Sequence, residues 1–351
     1  MSTIPPTNEI LKMTIRQCSF IAVFAIAFSI STALAQTPAP GKIPKPQFQG
    51  DYFGEMARAF CTIQEVDVKG RALVVRREKD SQIVRVPIRD DTELRFRDSW
   101  GELSDYFPGQ RIMLFVYVDE NKNWTYPRAV QDEIQVSAAH GWYAAVTAID
   151  LKNNTYATHR EEKDKDGKVT KVIDKQYTCA PGAVLWKSAK PQALADLKIG
   201  DEVIEQQKEI DGQLRVIEIL DRKGDAAVRA KQELAHHRAQ DEHGLPAYVN
   251  DIEVISGSLL ATVAWSGAER AASLKPGDLV TFTPTDGSAA FAAAIASSEH
   301  VDSRIRLHLA INARVAARLS IGQSLRLFLP GAGPQTPTGK SGVPANAFQT
   351  P

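Results

Sequence analysis

Cysteine is scarce in this chain, with 3 residues among 351. So few thiols exclude a small scaffold held together by several disulfides, and each domain must therefore depend on a hydrophobic core. A surplus of charge is missing as well, because 42 basic residues balance 42 acidic ones. This balance excludes a nucleic-acid-binding protein that acts through bulk positive charge. The 43% hydrophobic content also excludes a chain that is disordered throughout.

Motifs of the common enzyme classes are missing too. The chain has no Gly-x-Ser-x-Gly nucleophile motif, no phosphate-binding loop, no dinucleotide fingerprint and no His-Glu-x2-His metalloprotease motif. Neither Cys61 nor Cys179 has the local signature of a thiol protease. These absences favour a non-enzymatic protein. A hydrolase whose carboxylates are brought together only by the fold stays open as an alternative.

The first 35 residues have the features of a cleavable signal peptide. Lys12 and Arg16 precede a predominantly apolar run over residues 20–33, and Ala33-Leu34-Ala35 matches the small-x-small pattern of a cleavage site. No other segment resembles a membrane span. We therefore predict export to the periplasm or the extracellular space, with no membrane span after cleavage.

Two further segments have the composition of connectors rather than of domains. Residues 36–50 contain four prolines and predict a linker. Residues 331–351 are rich in Gly, Pro, Ser and Thr and predict a disordered tail. The folded part of the chain is therefore expected within residues 51–330.

Internal repeats organise that folded part. A pattern that begins at Leu94 recurs 91 residues later at Leu185, which predicts two homologous units over residues 51–137 and 138–224. A second pattern begins at Leu274 and recurs 45 residues later at Leu319, which predicts a duplication within residues 245–330. All four copies contain Gly-Asp or Gly-Gln two residues before an apolar position, which indicates a strand entered through a tight glycine turn.

Between these turns the sequence favours strands. Asp166-Gly167, Asp211-Gly212 and Asp286-Gly287 are hairpin signals flanked by extended segments. One segment differs, since residues 225–244 have an N-cap candidate, Ala-rich helix formers and a terminal glycine, and so predict a connecting helix. The expected fold is mainly β, with tandem small antiparallel barrels of the OB or SH3-like type joined by that helix.

The turn chemistry resembles that of a known group of proteins. Val146-x2-Ile149-Asp150, Asp166-Gly167 and Gly200-Asp201-x-Val203 are similar to β-barrel repeats found in bacterial exported proteins of unknown function. The segments around Gly244-Leu245-Pro246 and Gly277-Asp278 resemble a domain of such proteins. The resemblance implies a β-barrel fold and export, and it brings no activity or site residues with it.

Three histidines in the predicted helix are the candidate metal ligands. His236 and His243 are seven residues apart and share a helix face, and Asp241 lies four residues after His237. Imidazole and carboxylate groups at this spacing can hold a divalent metal such as zinc or copper. The alternative is a solvated polar helix face with side-chain pairs at i and i+4, in which case no cofactor is expected.

Aromatic and sulfur-containing residues supply the remaining candidates. Trp124 and Tyr126 lie beside a predicted turn and form a candidate binding surface, unless they pack in the barrel core or rim. Cys61 and Cys179 are the two cysteines beyond the signal peptide. In an exported protein they form either a disulfide that joins the first two units or two separately buried thiols.

Export, repeated β units and missing catalytic signatures together predict a cell-envelope protein that acts as a binding or spacer module. Its partner is predicted to be an envelope protein or a glycan, and not a nucleic acid. The first alternative is an exported metal-binding protein that uses His236, His237 and His243. The second is a hydrolase with a dispersed site, which two carboxylates of raised pKa in one cleft would favour.

Overall fold

The computed structural model describes residues 56–331. The predicted signal peptide and linker, and the predicted tail apart from its first residue, lie outside the described residues. Of the described residues 53% are in strands and 17% in helices. The predicted mainly β class is therefore confirmed.

The first part of the chain forms a seven-stranded sheet and a short helix. Its elements are β1 (Met56–Asp67), β2 (Ala72–Arg77), β3 (Ile83–Pro87), β4 (Glu93–Phe96), β5 (Ser99–Trp100), β6 (Arg111–Val118), β7 (Trp124–Asp132) and the helix α1 (Glu133–Ala139). The strand order is β3-β2-β1-β6-β7-β4-β5, and only β4 and β7 run parallel. Apolar residues alternate along these strands, so that Ile63, Leu73, Ile112 and Leu114 are fully buried on one side of the sheet.

The second part forms a six-stranded sheet followed by a long helix. Its elements are β8 (Ala144–Asp150), β9 (Thr155–Lys163), β10 (Val169–Lys187), β11 (Lys190–Gln192), β12 (Glu202–Ile210), β13 (Gln213–Asp221) and the helix α2 (Arg222–His243). The strand order is β11-β10-β13-β12-β8-β9. The first half of β10 also pairs with β9, and its second half pairs with β13 and β11. Like the first part, this part has a 3-10 helix before its penultimate strand, over Leu194–Asp196 here and Leu103–Asp105 there.

The third part is a closed six-stranded barrel. Its elements are β14 (Leu245–Glu253), β15 (Ser258–Val263), α3 (Trp265–Ala271), β16 (Leu279–Pro284), β17 (Phe291–Val301), β18 (Arg304–Ala310), α4 (Ala313–Ala316) and β19 (Ser324–Phe328). The strand order around the barrel is β14-β15-β18-β17-β16-β19. Both halves have the order strand, strand, helix, strand, and β15 pairs with β18 while β16 pairs with β19. The two halves therefore share one core, which includes Val263, Phe282, Leu307 and Leu327.

The four repeated glycine turns have the same geometry. Gly109, Gly200, Gly277 and Gly322 all have φ between 83° and 93°, a conformation that glycine adopts at little cost. Each glycine N–H donates to a carbonyl on an opposite strand, and the N–H of that opposite residue donates back to the carbonyl of the residue after the glycine. The side chain of that next residue, Asp or Gln, accepts from the backbone N–H three positions earlier. The hydrogen bond that this side chain accepts explains why an acid or an amide follows each glycine.

The helix α2 contacts all three parts of the chain. Its Gln232 donates to Asp105 in the first part (2.9 Å), and the ammonium group of Lys231 lies 4.2 Å from the ring centroid of Trp186 in the second. Near its end, Gln240 donates to the carbonyl of Ser266 in the barrel (2.7 Å). Within residues 56–331, none of the helices combines the length and the apolar character that a membrane span requires.

Candidate functional site

A cleft of about 490 Å³ lies between the first two parts of the chain. We call it the inter-repeat cleft. One wall comes from β1, β6 and α1, and the other from β9, β10 and β12. The residues that line it are Phe60, Arg111, Glu133, Val136, Ser137, Trp142, Arg160, Glu162, Lys171, Val172, Ile173, Asp174, Lys175 and Glu205.

Arg111, the first residue of β6, is fully engaged within the protein. It donates to both carboxylate oxygens of Glu78 (2.5 and 2.9 Å) and to Glu133 Oε1 (2.6 Å). Its guanidinium carbon lies 3.9 Å from the ring centroid of Phe60. Burial alone would lower the pKa of Arg111, but the bonds to the two carboxylates outweigh it and raise the pKa. Arg111 is therefore charged, and each of its three guanidinium nitrogens already donates to a carboxylate.

Glu133 opens α1 and joins it to the second part of the chain. It is buried, and its Oε2 accepts from the backbone N–H of Gln207 (2.6 Å) and from the side chain of Gln206 (3.3 Å). Because Oε1 accepts from Arg111, both carboxylate oxygens are occupied. Burial raises the pKa of Glu133 to about 7 against the opposing effect of Arg111. Glu133 thus holds the two walls of the cleft together.

Glu205 on β12 is the second carboxylate of raised pKa. Burial is the main cause of that raised pKa, and the hydroxyl of Tyr177, which donates to Glu205 Oε1, opposes it. Tyr156 stacks on Tyr177 with ring centroids 5.1 Å apart. The hydroxyl of Tyr156 is buried and has no hydrogen-bond partner among the described residues. Glu205 therefore lines the cleft, and buried tyrosine side chains pack behind it.

Arg160 on β9 has an unused donor at the cleft. Its side chain is 15% exposed, and its Nη2 donates to Glu162 (3.0 Å). Its guanidinium carbon lies 4.6 Å from the ring centroid of Trp142, which also stacks against His140. Its Nη1 is buried and has no partner among the described residues. A buried guanidinium nitrogen without an acceptor is costly, so a ligand oxygen that reached Nη1 would remove that cost.

The acids and bases of the cleft differ in how they are paired. Glu133, Glu162 and Glu205 are hydrogen-bonded as described, and Asp174 accepts from His159 (2.8 Å) in the tautomer that carries the proton on Nδ1. By contrast, Lys171 and Lys175 are exposed, and residues 56–331 contain no ion pair to either. The unused hydrogen-bonding capacity of the cleft is therefore mainly cationic.

The three candidate histidines do not share one environment. His236 is buried, with Nδ1 at 3.1 Å from Glu102 Oε1 and Nε2 at 2.7 Å from Gln240 Nε2. His237 is exposed, and its ring centroid lies 6.5 Å from that of His236. His243 ends α2, and its side chain is 62% exposed. The structure thus directs His236 into a contact between parts of the chain and the other two outward.

In residues 56–331, no three His, Cys, Asp or Glu side chains form a group that could hold a metal ion. His236 and Glu102 lie close together, but no third side chain of these types completes the set. Metal binding through His236, His237 and His243 stays a prediction.

Trp124 and Tyr126 lie on β7, away from the inter-repeat cleft. Both are half-buried, and Trp124 packs against the first core with the guanidinium of Arg77 at 5.0 Å from its ring centroid. Tyr126 lies between Tyr117, at 5.3 Å, and Arg89, at 4.4 Å. These contacts agree with rim packing, and a binding role for the two aromatics stays a prediction.

Cys61 and Cys179 are free thiols in the structure, and both are buried. Cys61 belongs to the core of the first sheet and Cys179 to that of the second. Burial raises the pKa of Cys61 to about 12 and that of Cys179 to about 11. The structure thus places the two cysteines in different cores, and a disulfide between them stays a prediction.

The residues of the cleft were not identified from the sequence. Arg111, Glu133, Arg160 and Glu205 come from four different elements and share no local motif. The one available signal was the run of alternating charge that follows Arg160, and such runs are usually solvated hairpin tips. Only the packing of β9 and β10 beside α1 turns part of that run into the wall of a cleft.

The chain matches no protein-family model, no curated protein and no solved structure. The resemblance drawn from the turn motifs therefore stays an interpretation of the sequence.

Proposed function

We propose that this protein is an exported, non-enzymatic binding module of the cell envelope, and that its inter-repeat cleft binds an acidic ligand. The supporting observation is the pairing of charges in the cleft. Each acid that lines it has a partner on the protein, whereas Arg160 Nη1, Lys171 and Lys175 have donors to spare. A carboxylate, sulfate or phosphate group supplies the acceptors that these donors lack.

We further propose that the first two parts of the chain are tandem barrels of the OB or SH3-like type, and that α2 connects them to the closed barrel. The repeated glycine turn supports this view, and so does the pairing of β9 with both β8 and β10. A cleft between two such repeats is a common kind of place for a ligand.

Binding of two acidic polymers tests the proposal. Fluorescently labelled poly-L-glutamate and polygalacturonate are titrated with the chain lacking residues 1–35, and anisotropy is measured. We expect at least one polymer to bind, with an affinity that falls as salt is added. The variant Arg160→Gln/Lys171→Gln/Lys175→Gln is expected to bind at least about tenfold more weakly, because each hydrogen bond to a charged group contributes about 1.5–3 kcal/mol.

A matched control removes three exposed positive charges elsewhere. Lys223 and Arg238 lie on α2 and Lys275 lies before β16, and all three are exposed. Lys223→Gln/Arg238→Gln/Lys275→Gln has the same net charge as the cleft variant and is expected to bind as the unsubstituted chain does. Equal losses in the two triple variants would mean that binding is non-specific and would contradict the proposal.

A hydrolase is the second candidate, because two carboxylates of raised pKa line the cleft. Against it, both oxygens of Glu133 are occupied and one oxygen of Glu205 accepts from Tyr177, so the two carboxylates do not form a free acid–base pair. Incubation of either polymer with the protein distinguishes the two functions. Chain shortening that Glu205→Gln abolishes would favour the hydrolase, and binding without turnover favours the module.

Two further proposals from the sequence have separate tests. Metal binding by His236, His237 and His243 requires stoichiometric zinc or copper in equilibrium dialysis that is lost in His236→Ala/His243→Ala. A spacer role requires that neither polymer nor any envelope component binds. The unpaired donors of the cleft favour a binding module over a spacer.

A further inference from the structure

Where β10 passes the inter-repeat cleft, one of its edges has no strand beside it among the described residues. β10 pairs with β9 from Val169 to Thr178, and its pairing with β13 begins only at Cys179. Before Cys179, the edge of β10 opposite β9 therefore has no strand neighbour among residues 56–331. An unpaired edge presents backbone N–H and C=O groups that can pair with another extended chain.

The cleft lies along this edge rather than over a face of the β9–β10 hairpin. Successive side chains of a strand point to opposite faces, so a cavity over one face would contact alternate residues. The inter-repeat cleft instead contacts five consecutive residues of β10, 171–175. A ligand in the cleft would thus lie beside the backbone of β10.

The two faces of the hairpin differ in charge. One face of β10 carries every second residue of this segment, which are Lys171, Ile173 and Lys175. Ile173 pairs with Arg160 on β9, so Arg160 lies on the same face. Glu162 is also on this face, and it is bonded to Arg160. Val172 and Asp174 lie on the opposite face, and Val172 is 50% exposed. On this face β10 thus presents Lys171 and Lys175 four residues apart, and Arg160 lies beside Ile173, between them, on the neighbouring strand β9.

We propose, on the basis of the binding function above, that the ligand is an extended peptide of a partner protein, and that it adds as a strand to residues 171–175 of β10. Its carboxylates occur at every second residue. Those beside Lys171 and Lys175 meet the two lysines, and the one between them, beside Ile173, meets Arg160 across β10. The side chains between the carboxylates lie on the same face as Val172, and they need not be charged. Backbone pairing supplies affinity and the alternate side chains supply specificity, as in other cases of strand addition.

Backbone methylation of a synthetic peptide tests this proposal. The probe is an alternating Glu–Thr peptide of about eight residues, close to the usual length of a strand. Its two derivatives are N-methylated at all glutamates or at all threonines. In an extended chain all the glutamate N–H groups point to one edge and all the threonine N–H groups to the other. With the glutamates on the cationic face, only one of these edges pairs with β10.

The expected result is asymmetric. The unmodified peptide binds, one methylated derivative binds at least tenfold more weakly, and the other binds within about threefold of the unmodified peptide. The derivative that fails also identifies the direction of the added strand. Hydrogen exchange is expected to slow in residues 169–176 of the protein when the unmodified peptide binds. Equal binding by all three peptides, or equal loss in both derivatives, would overturn strand addition.

The controls separate this inference from the proposed function. A peptide of the same composition with its glutamates in one block is expected to bind at least fivefold more weakly, because its carboxylates do not alternate. The Arg160→Gln/Lys171→Gln/Lys175→Gln variant should lose the alternating peptide, while Lys223→Gln/Arg238→Gln/Lys275→Gln should keep it. Binding of polygalacturonate without binding of the alternating peptide would overturn the inference and leave the proposed function standing. Failure of every acidic probe would overturn both.

Discussion

At the scale of single residues, burial and hydrogen bonding act in opposite directions on the acids near the cleft. Asp132, the N-cap of α1, accepts from the backbone N–H groups of Gln135 and Arg97, and its neighbour Glu133 accepts from Arg111. Each of these bonds favours the charged form. Removal from water outweighs them and raises the pKa of both acids to about 7.

These raised pKa values predict that stability falls as the pH rises from about 4.5 to 7. In this window the folded protein keeps a proton on each acid that the unfolded chain has already released, so each rise in pH favours unfolding. The free energy of unfolding, measured with urea, should therefore decrease by up to about 1.4 kcal/mol per pH unit for each group. Above pH 7 this contribution to the slope should disappear.

Glu133→Gln isolates one of the two contributions. The variant cannot titrate at this position, so its unfolding free energy should decrease less steeply between pH 5 and 7 than that of the unsubstituted chain. Glu120 is an exposed glutamate in the β6–β7 turn, and Glu120→Gln should reproduce the original slope. The prediction is wrong if all three proteins have the same pH dependence.

At the scale of secondary-structure elements, the four glycine turns form a natural series. Their φ angles lie within 10° of one another, but their surroundings differ. A Cβ atom added to Gly200, Gly277 or Gly322 would meet no atom of residues 56–331 within 4 Å. A Cβ added to Gly109 would lie 2.8 Å from the carbonyl oxygen of Glu209, on a strand of the second part. The first turn thus has a packing requirement that the other three lack.

Alanine substitution of each glycine should reveal that difference. Alanine at Gly200, Gly277 or Gly322 should reduce the unfolding free energy by about 1–2 kcal/mol, the cost of a positive φ for a residue with a Cβ. Alanine at Gly109 should cost at least about 1 kcal/mol more, because the clash also disturbs the hydrogen bond from Glu209 N–H to the Gly109 carbonyl (2.7 Å). The measurement is denaturant unfolding. Equal losses of unfolding free energy at all four positions would contradict the prediction, because the backbone at Glu209 would then accommodate the added Cβ without a loss of stability.

At the scale of the whole molecule, strand pairing between the two halves of the closed barrel stabilises it. β14 pairs with β19 and β15 with β18, so each half completes the sheet of the other. The residues of each half are too few for an independent core. The hairpin turn at Asp286-Gly287 connects β16 and β17 and is exposed at the surface, which makes it an accessible site for a protease.

Limited proteolysis should therefore leave the barrel intact as one unit. After a cut at Asp286-Gly287, the two fragments of residues 245–330 should co-elute on gel filtration in native buffer and separate only in denaturant. Each fragment alone should lack the circular dichroism of folded strands. Independent folding of either fragment would contradict the view that the two halves share one core.

Several properties of this protein follow from the sequence itself. The mainly β class follows from local patterns, because apolar alternation and Asp-Gly turns act over a few residues. The long helix was expected from residue 225 and begins at Arg222, since Asp221 serves as its N-cap. The four equivalent turns are recognisable as repeats in the sequence. Their geometry requires a glycine and then an acid or an amide, so the same residue types recur at each turn.

Tertiary structure alone decided the properties that depend on distant residues. The cleft joins Arg111, Glu133, Arg160 and Glu205 across as many as 94 positions in the sequence, and no local pattern records which strands pack together. For the same reason, only the fold determines that Cys61 and Cys179 belong to separate cores and that His236 is buried while His237 is exposed. Backbone geometry is encoded by neighbouring residues, whereas burial, ion pairing and raised pKa values depend on the atoms that the fold brings close.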